Sequence, residues 1–445
     1  MTRATLAAAL LAVATPILAK VPPGEAEQLR NRLTPVGAER VGNAAGTIPT
    51  WNGGLVAPPP CHGAGARLCD PYADDRPLAT ITARNLDQWR DWLSAGQIDA
   101  LLRHADTLRF TVYPSRRSAA HPGAVYEAAW RNAAAASLGA TGHDVVGAVG
   151  PIPFPIPKNG VEPIWNHKLR YRGPGYSRVL TQAVVTPQGE AMVTRFREEA
   201  AFPYAGEAIE EDTPVRRLVQ VLLEPTAEIG TLMLIIDGPD PVTRPADAWI
   251  QVPEPRRMRR AQSFGYDNPG LLAGDLRFDD QIDAFSGNTD RYPWRIVGKR
   301  DLVVPYNAYA LHAARTTLRE LIRPGHLDPA PARYELHRVW VIEASVRPGT
   351  THRYKRRTFY VDEDSWQILL VDLYDAGDRL WRWQETHTVM AYDRGHLAPT
   401  IEAVYDLQSG RYLVQGPDRG DPEIVDKSFT EDDFSHSAVR ARVPR

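Results

Sequence analysis

Cysteine, net charge and long apolar runs are all scarce in this sequence. Its 445 residues include two cysteines and carry a formal net charge of −2 at pH 7. A chain so close to neutral has no overall field to attract nucleic acid, so binding of that kind is excluded as a global property. After residue 19, no run approaches the roughly 18 apolar residues that a membrane-spanning helix requires. The sequence therefore predicts no transmembrane span and no nucleic-acid partner.

Motifs of the common enzyme classes are missing as well. The chain contains no HExxH, no GxSxG and no P-loop. Ser115 and Ser118 lie near His121 in the sequence, but a serine nucleophile needs a base and an orienting acid, and no such set is visible. Paired carboxylates such as Glu198 and Glu199 are sequence neighbours, which seldom reach a substrate from opposite sides. We therefore predict a protein that is not an enzyme and has no cofactor or metal, with a hydrolase as the remaining enzymatic alternative.

The first residues have the pattern of an export signal. Residues 1–19 begin with the basic Arg3, continue as a short apolar stretch broken by proline, and end in a small-residue cleavage site. In an oxidising compartment Cys61 and Cys69 are expected to form one disulfide. A metal site that also uses His62 is the alternative, although its spacing fits no common zinc pattern.

The composition is that of a globular protein, with 43% hydrophobic and 24% charged residues. Residues 20–148 are interpreted as an N-terminal arm with helices, because glycine and proline interrupt 41–60 whereas 86–102 and 122–138 have helical patterns. Residues 110–114 between them could form one strand. Repeated strands and turns occupy 149–408, including a hairpin formed by 218–224 and 231–237. The polar, proline-containing segment 409–445 is expected to be a loosely held tail.

Within the strand region, four segments carry specific expectations. Residues 165–172 alternate well enough to be a strand, and His167 within it is interpreted as a structural, hydrogen-bonded histidine. Residues 232–236 are apolar on both faces, so this strand must be covered on both sides. Residues 334–392 are predicted to form an antiparallel meander. The basic residues between 353 and 357 are interpreted as a solvated strand edge.

The segment 249–260, WIQVPEPRRMRR, combines a strand with a dense arginine cluster. The strand must stop at the prolines, which lack the N–H that a ladder needs. The four arginines are expected at the rim of an apolar cavity, where they could bind a phosphate or carboxylate; a basic surface loop, or a docking site for an acidic partner, are the alternatives. These arginines are Arg256, Arg257, Arg259 and Arg260. The predicted cavity lining, for which ordinary core packing is the alternative, is Met233, Ile235, Trp249 and Trp340.

Two sets of residues resemble known families. The arginine segment, and the strand–acidic turn–strand pattern of residues 356–382, are similar to outer-membrane lipoprotein-sorting proteins, relatives of the periplasmic carriers LolA and LolB. Six further blocks, in family order, resemble DUF1329, an exported family of Gram-negative bacteria. They are GTIPTWNGGL at 46–55, DPYADDRPLATITARNL at 70–86, VYPSRRSAAHP at 112–122, PIPFPIPKNG at 151–160, IWNHKLRYRG at 164–173 and VPYNAYAL at 304–311.

The resemblance implies an α+β fold, a curved antiparallel half-barrel with helices on its concave face and a long irregular N-terminal extension. It also implies a periplasmic carrier of a lipid or other hydrophobic molecule, working with an outer-membrane protein or a transporter of the resistance-nodulation-division class. The sequence departs from the sorting-protein pattern at Gln251, where an aromatic residue is usual. A structural adaptor that binds no lipid is the competing hypothesis.

Overall fold

The computed structural model describes residues 21–63, 67–206, 208–210, 212–313, 317–418 and 424–444. The predicted signal at 1–19 lies outside these residues. Within them, no helix combines the length and the apolar character that a membrane crossing demands.

Strands dominate the described part of the chain. The first nine are β1 (Ala79–Ile81), β2 (Phe110–Tyr113), β3 (Ser137–Leu138), β4 (Val145–Val146), β5 (Gly175–Val185), β6 (Ala191–Ala201), β7 (Arg216–Glu224), β8 (Leu232–Asp237) and β9 (Asp247–Gln251). The others are β10 (Arg259–Arg260), β11 (Trp294–Pro305), β12 (Tyr334–Ser345), β13 (Arg356–Asp362), β14 (Ile368–Tyr374), β15 (Leu380–Ala391), β16 (His396–Asp406), β17 (Tyr412–Gly416) and β18 (Val425–Asp426).

Sixteen of these strands form one sheet, and β3 and β4 form a separate pair. The order across the large sheet is β1-β2-β12-β13-β14-β15-β16-β17-β5-β6-β7-β8-β9-β10, with β11 also paired to β12 and β18 to β5. Only the β2–β12 pairing is parallel among the described pairs. The predicted meander is confirmed, since β12 to β15 are consecutive neighbours, and so is the β7–β8 hairpin. The curvature of a half-barrel and the location of helices on its concave face stay predictions.

The helices are short. They are α1 (Pro23–Ala26), α2 (Ala95–Arg103), α3 (Gly123–Ala135), α4 (Val161–Lys168), α5 (Tyr309–His312), α6 (Leu318–Leu321) and α7 (His436–Ala441). Helix α2 is attached to the sheet by its first turn, where Ser94 Oγ and the N–H groups of Ala95 and Gly96 all donate to the carboxylate of Asp372 on β14. A carboxylate at this position both caps the helix and complements its dipole.

Strand β8 is covered on both faces, as its composition requires. Alternate side chains of a strand point to opposite faces, and here they enter two different apolar clusters. Met233 and Ile235 pack in the cluster that contains Trp165 of α4. Leu232 and Leu234 pack in the cluster that contains Phe434 and Val439 from the C-terminal region. The prediction of two-sided cover is confirmed.

One strand prediction is wrong. Residues 161–168 form α4 and not part of a strand over 165–172. The Asn159 side chain accepts from the N–H groups of Val161 and Glu162, which starts the helix. Seven of its eight residues are buried, so the helix has no solvated face, and the amphipathic pattern by which a helix is recognised is absent.

The expectation of a loose tail after residue 408 is also wrong for its first part. Strand β17 lies between β16 and β5, and all five of its residues are buried. Its core is the short apolar run Tyr412-Leu413-Val414, which is long enough for a central strand although polar segments surround it.

The interpretation of 353–357 as a solvated strand edge is wrong for Arg357. This residue is 1% exposed and donates to Asp280 and Tyr292.

Candidate functional site

A partly open cavity of about 60 Å³ lies in the part of the sheet where β16, β17, β5, β6 and β7 are neighbours. The strands contribute one wall, while the segment between β10 and β11 and the link between α4 and β5 contribute others. Six arginines line the cavity against three carboxylates. They are Arg170, Arg172, Arg178, Arg216, Arg277 and Arg394, with Glu198, Asp283 and Glu402. The cavity therefore has an excess of cationic groups.

One carboxylate is fully engaged by the strands themselves. Register places Arg178 of β5 opposite Glu198 of β6, and Glu198 opposite Gln220 of β7. Arg178 Nε donates to Glu198 Oε1 at 2.7 Å, Tyr176 donates to the same oxygen at 2.8 Å, and Gln220 donates to Oε2 at 2.6 Å. Burial acts to raise the pKa of Glu198, but Arg178 and these donors hold it below its ordinary value. Glu198 is thus a structural anion.

Asp283 is held by two arginines from the link after α4. Arg170 Nη2 donates to Oδ1 at 2.6 Å and Arg172 Nη1 to Oδ2 at 2.8 Å. Burial acts to raise the pKa of Asp283, but the two guanidinium groups keep it well below the usual range. His167 bonds through Nε2 to the carbonyl of Asp283 at 2.8 Å, and burial lowers its pKa to about 3. The interpretation of His167 as a structural histidine is confirmed, on a helix and not on a strand.

Arg277 differs from the other arginines of the cavity. It is 5% exposed, and its guanidinium donates to the side-chain oxygens of Gln182 and Gln415. Among the described residues no carboxylate lies within ion-pair distance of it, and its Nε has no hydrogen-bond partner. Burial accordingly lowers the pKa of Arg277 below its ordinary value. The carboxylates of Glu402, Glu198 and Asp279 offset part of this burial cost from a distance, but a buried cation without a direct ion pair is still costly unless a ligand compensates it.

The third carboxylate of the cavity, Glu402, changes its protonation state near neutral pH. Glu402 accepts a hydrogen bond from Gln415. Burial raises the pKa of Glu402 to about 7, and the nearby Asp283 adds to the effect. When Glu402 is protonated, the cationic excess of the cavity increases by one charge. The arrangement can accept an anion.

The structure does not bring the four predicted lining residues together. Met233 and Ile235 are 3% and 0% exposed within one packed cluster. Trp249 faces a different cluster, with its ring 4.8 Å from that of His436. Trp340 stacks on Trp366 in a third cluster, at 6.1 Å between ring centroids. None of the four lines the arginine cavity.

The predicted arginine cluster lies at one end of the sheet order. Arg259 and Arg260 form β10, the last strand on the path, and Arg260 pairs with Asp247. Arg256 lines a broad surface depression beside the β7–β8 turn. Arg257 is exposed in the loop before β10. The four guanidinium groups therefore face solvent, three strands along the sheet from β7.

Cys61 and Cys69 are joined in a disulfide. The loop that it closes is tied to the end of β15, because the Tyr392 hydroxyl accepts from the N–H of Cys69 at 2.8 Å. With both sulfurs bonded to each other, a metal site built on two thiolates is not the arrangement in this structure.

The cavity residues could not be predicted as one site because they come from at least six separate segments of the chain. One signal was present: Lys168, Arg170 and Arg172 alternate just before a strand that contains Arg178. Nothing in the sequence indicated that the isolated Arg277, some hundred residues later, would join them. The pairing of β17 with β5 brings Gln415 to the cavity. It could not be predicted because the segment that contains β17 was expected to be a loosely held tail.

The fold and the site define a protein with one large, mainly antiparallel sheet and a partly open cavity lined by six arginines. The chain belongs to the family described as "Protein of unknown function (DUF1329)", whose model matches residues 80–440. It is 39% identical over 437 residues to the uncharacterized protein PA3922 of Pseudomonas aeruginosa, covering 97% of this chain and 96% of that protein. The predicted family membership is confirmed.

Two solved structures are more distantly similar. A DUF1329 family protein from Desulfovibrio piger has a TM-score of 0.43 and 15% identity, over 60% of this chain and 92% of that one. A putative outer membrane lipoprotein-sorting protein domain from Vibrio parahaemolyticus has a TM-score of 0.44 and 14% identity, over 63% of this chain and 98% of that one. At these scores the likeness supports no inference about function.

Proposed function

We propose that the protein binds the charged head group of an anionic amphiphile in the arginine cavity and carries that molecule without chemical change. The observation that supports this most directly is Arg277, a buried guanidinium held by two glutamine side chains and by no described carboxylate. A carboxylate or phosphate accepts charge-assisted hydrogen bonds from such a group. The proposal keeps the arginine-to-head-group contact predicted from the sequence, and moves it to different arginines.

The size of the cavity limits what it can hold. A volume of about 60 Å³ accommodates roughly four water molecules, which matches a head group and excludes a full alkyl chain. Several apolar side chains also line the cavity, and the alkyl carbons next to the head group would pack against them. They are Phe202, Leu218, Ile282, Ala398 and Pro399. Each methylene buried there would add about 0.8 kcal/mol to binding.

The cellular setting belongs to the same proposal. The signal-like residues 1–19 and the resemblance to lipoprotein-sorting proteins support a periplasmic location, with an outer-membrane protein or a resistance-nodulation-division transporter as partner. In this setting the exposed cluster Arg256, Arg257, Arg259 and Arg260 would contact an anionic membrane surface or an acidic partner. Each arginine near an anionic membrane contributes about 1 kcal/mol at low salt.

The test compares two arginines of opposite environment. A fluorescent fatty acid and its methyl ester are titrated into the full-length protein, into Arg277→Met, and into Arg295→Met. Arg295 is a matched control because its side chain is 64% exposed and paired with Glu343. We expect one equivalent of the acid to bind, the ester to bind at least tenfold more weakly, and Arg277→Met to lose the preference for the acid.

Equal binding of acid and ester by the wild type, or an unchanged preference in Arg277→Met, would contradict the head-group site. Organic extraction of protein purified from its native host, followed by mass spectrometry, identifies what it carries. A stoichiometric anionic lipid agrees with the proposal.

A structural adaptor that binds no lipid is the second candidate. The observation that favours it is that Met233 and Ile235 pack in one apolar cluster and Trp340 packs against another, whereas the sequence predicted that they would line a hydrocarbon cavity. In that case extraction yields no lipid and neither probe binds, while the protein still associates with a membrane partner.

A further inference from the structure

The acidic turn between β13 and β14 is buried. Asp362, Glu363 and Asp364 are 0%, 1% and 5% exposed. The turn packs beside Glu335 and His337 of β12, which are also buried. Four carboxylates in one enclosed region need compensating charges.

All but one of these carboxylates are bonded to a cationic side chain. Arg117 binds both oxygens of Asp364, at 2.8 and 2.7 Å. The other ion pairs are Glu363 with Lys299 and Arg338, and Glu335 with Arg333. The exception is Asp362, whose Oδ2 accepts from the hydroxyls of Ser365 and Tyr306, at 2.5 and 3.1 Å.

The second oxygen of Asp362 has no hydrogen-bond partner among the described residues. Nδ1 of His337 lies 3.9 Å from this oxygen. Leaving a buried carboxylate oxygen unpaired costs the desolvation of that group. A proton cannot bridge the gap, because a hydrogen bond to nitrogen requires about 2.7–3.2 Å.

Contacts at Nε2 and at the face of the His337 ring fix the direction in which Nδ1 points. Nε2 lies 3.1 Å from Glu335 Oε2, and the ring stacks on Tyr306 with centroids 3.8 Å apart. When Nε2–H donates to Glu335, the lone pair of Nδ1 faces Asp362. A histidine oriented by a carboxylate through its far nitrogen is the usual arrangement behind a metal ligand.

We propose that His337 Nδ1, Asp362 Oδ1 and a carboxylate oxygen of Asp364 form a binding site for a divalent transition-metal ion. Ligand atoms of these three residues lie within 4.8 Å of one another. Bonds to zinc are about 2.0–2.2 Å long and tetrahedrally arranged, so bound ligand atoms lie about 3.4 Å apart. Closing the site requires the ligand atoms to approach one another by up to about 1.4 Å. One imidazole with two carboxylates suits Zn²⁺ or Mn²⁺ better than Ca²⁺.

The ion would have a structural role. Asp364 keeps a free lone pair on each oxygen while it accepts from Arg117, so it can bridge that arginine and the ion. Arg117 in turn donates to the carbonyl groups of Glu39, Arg40 and Pro49. The site therefore connects the N-terminal region to β12 and to the acidic turn.

The test uses untagged full-length protein stripped of metal by a chelator and dialysed. Calorimetric titration with ZnCl₂ and with MnCl₂ is expected to give one site per chain, and the bound ion to raise Tm by several degrees. Asp362→Asn and His337→Gln should each weaken binding at least tenfold. Glu363→Gln is the matched control, since it lies in the same turn, loses the same charge and is outside the three ligands.

X-ray absorption of the zinc-loaded protein supplies a readout that a general loss of stability would not produce. We expect a shell of nitrogen and oxygen with a single imidazole and no sulfur. Absence of binding by the folded wild type, unchanged binding in Asp362→Asn, or equal loss in Glu363→Gln would overturn the proposal. Neither result depends on whether the arginine cavity binds an amphiphile.

Discussion

The arginine cavity and the acidic turn are two buried charged regions of opposite sign. In the cavity, Arg277 is the cation without a carboxylate partner. In the turn, Asp362 is the carboxylate without a cation bonded to it. Apart from Glu402, whose described hydrogen-bond partner is the neutral Gln415, the other charged groups named in the two regions have ionic partners. The comparison teaches that the unmatched group in each region, and not the total charge, indicates the sign of the ligand: an anion in the first and a cation in the second.

The largest effect is expected from removing a matched charge. Asp283→Ala leaves Arg170 and Arg172 buried without their shared carboxylate. Breaking a buried ion pair from one side typically costs about 3–5 kcal/mol. Asp378→Ala is the control, because its pair with Arg356 is partly exposed and should cost less than about 1 kcal/mol. Urea unfolding of both variants measures the difference, and equal losses would contradict the assigned burial.

These matched and unmatched groups mark the limit of what the sequence could predict. The meander over β12–β15 and the β7–β8 hairpin were predictable, because local alternation and turn residues define them. The two-sided cover of β8 followed from its continuous apolar run. The disulfide was expected from the scarcity of cysteine together with the export pattern. In each case the determining information lies within a short stretch of chain.

The cavity and the acidic turn depend on pairings between distant segments. Arg277 meets Gln415 only because β17 inserts between β16 and β5, and no local pattern encodes that insertion. Likewise the sequence Asp362-Glu363-Asp364-Ser365 is typical of a solvated turn. It is buried here because Arg117, Lys299 and Arg338 arrive from elsewhere. Burial of charge is a tertiary property, so the residues of this turn alone could not predict it.

The second prediction concerns pH. Burial raises the pKa of Glu402 to about 7, above the ordinary value of a glutamate, so the native state retains a proton that the unfolded chain releases. The stabilisation is present in acid and is lost as pH rises through about 7, on the order of 1–3 kcal/mol. Glu402→Gln should reduce this slope by the contribution of one carboxyl group, as measured by denaturant unfolding at several pH values, while Glu162, whose pKa is also raised to about 7, keeps its own contribution. The groups around Glu402 are Asp283, Arg178, Arg277 and Gln415.

The same protonation should act on the ligand. Neutral Glu402 leaves the cavity more cationic, so affinity for the fluorescent fatty acid should rise as pH falls from 8 to 6, and Glu402→Gln should bind with little pH dependence. Glu162 also has its pKa raised to about 7 by burial, but it is not among the residues that line the cavity. Glu162→Gln is therefore the control: an effect on binding as large as that of Glu402→Gln would contradict the local explanation.

The third prediction is that Arg277→Met stabilises the protein. Replacing an uncompensated buried cation by an apolar side chain of similar length removes a desolvation cost, and we expect a gain of about 1–2 kcal/mol. Denaturant unfolding without ligand measures it. The gain should accompany the loss of acid preference, since a group retained for binding and not for packing behaves in this way. A clear loss of stability would indicate that its bonds to Gln182 and Gln415 outweigh its burial.

The smallest effect on stability is expected at the exposed arginines. Replacing Arg256, Arg257 and Arg259 by glutamine should change the free energy of unfolding by less than about 0.5 kcal/mol, because surface positions without buried partners tolerate substitution. Binding of the soluble fatty acid should stay unchanged. Co-sedimentation with anionic vesicles at low salt should nevertheless fall by about tenfold or more, and the difference should vanish at high salt as the charges are screened. A variant that lost soluble-probe binding as well would place the head group at β10 and not in the cavity, which would reverse the assignment of the two arginine sets.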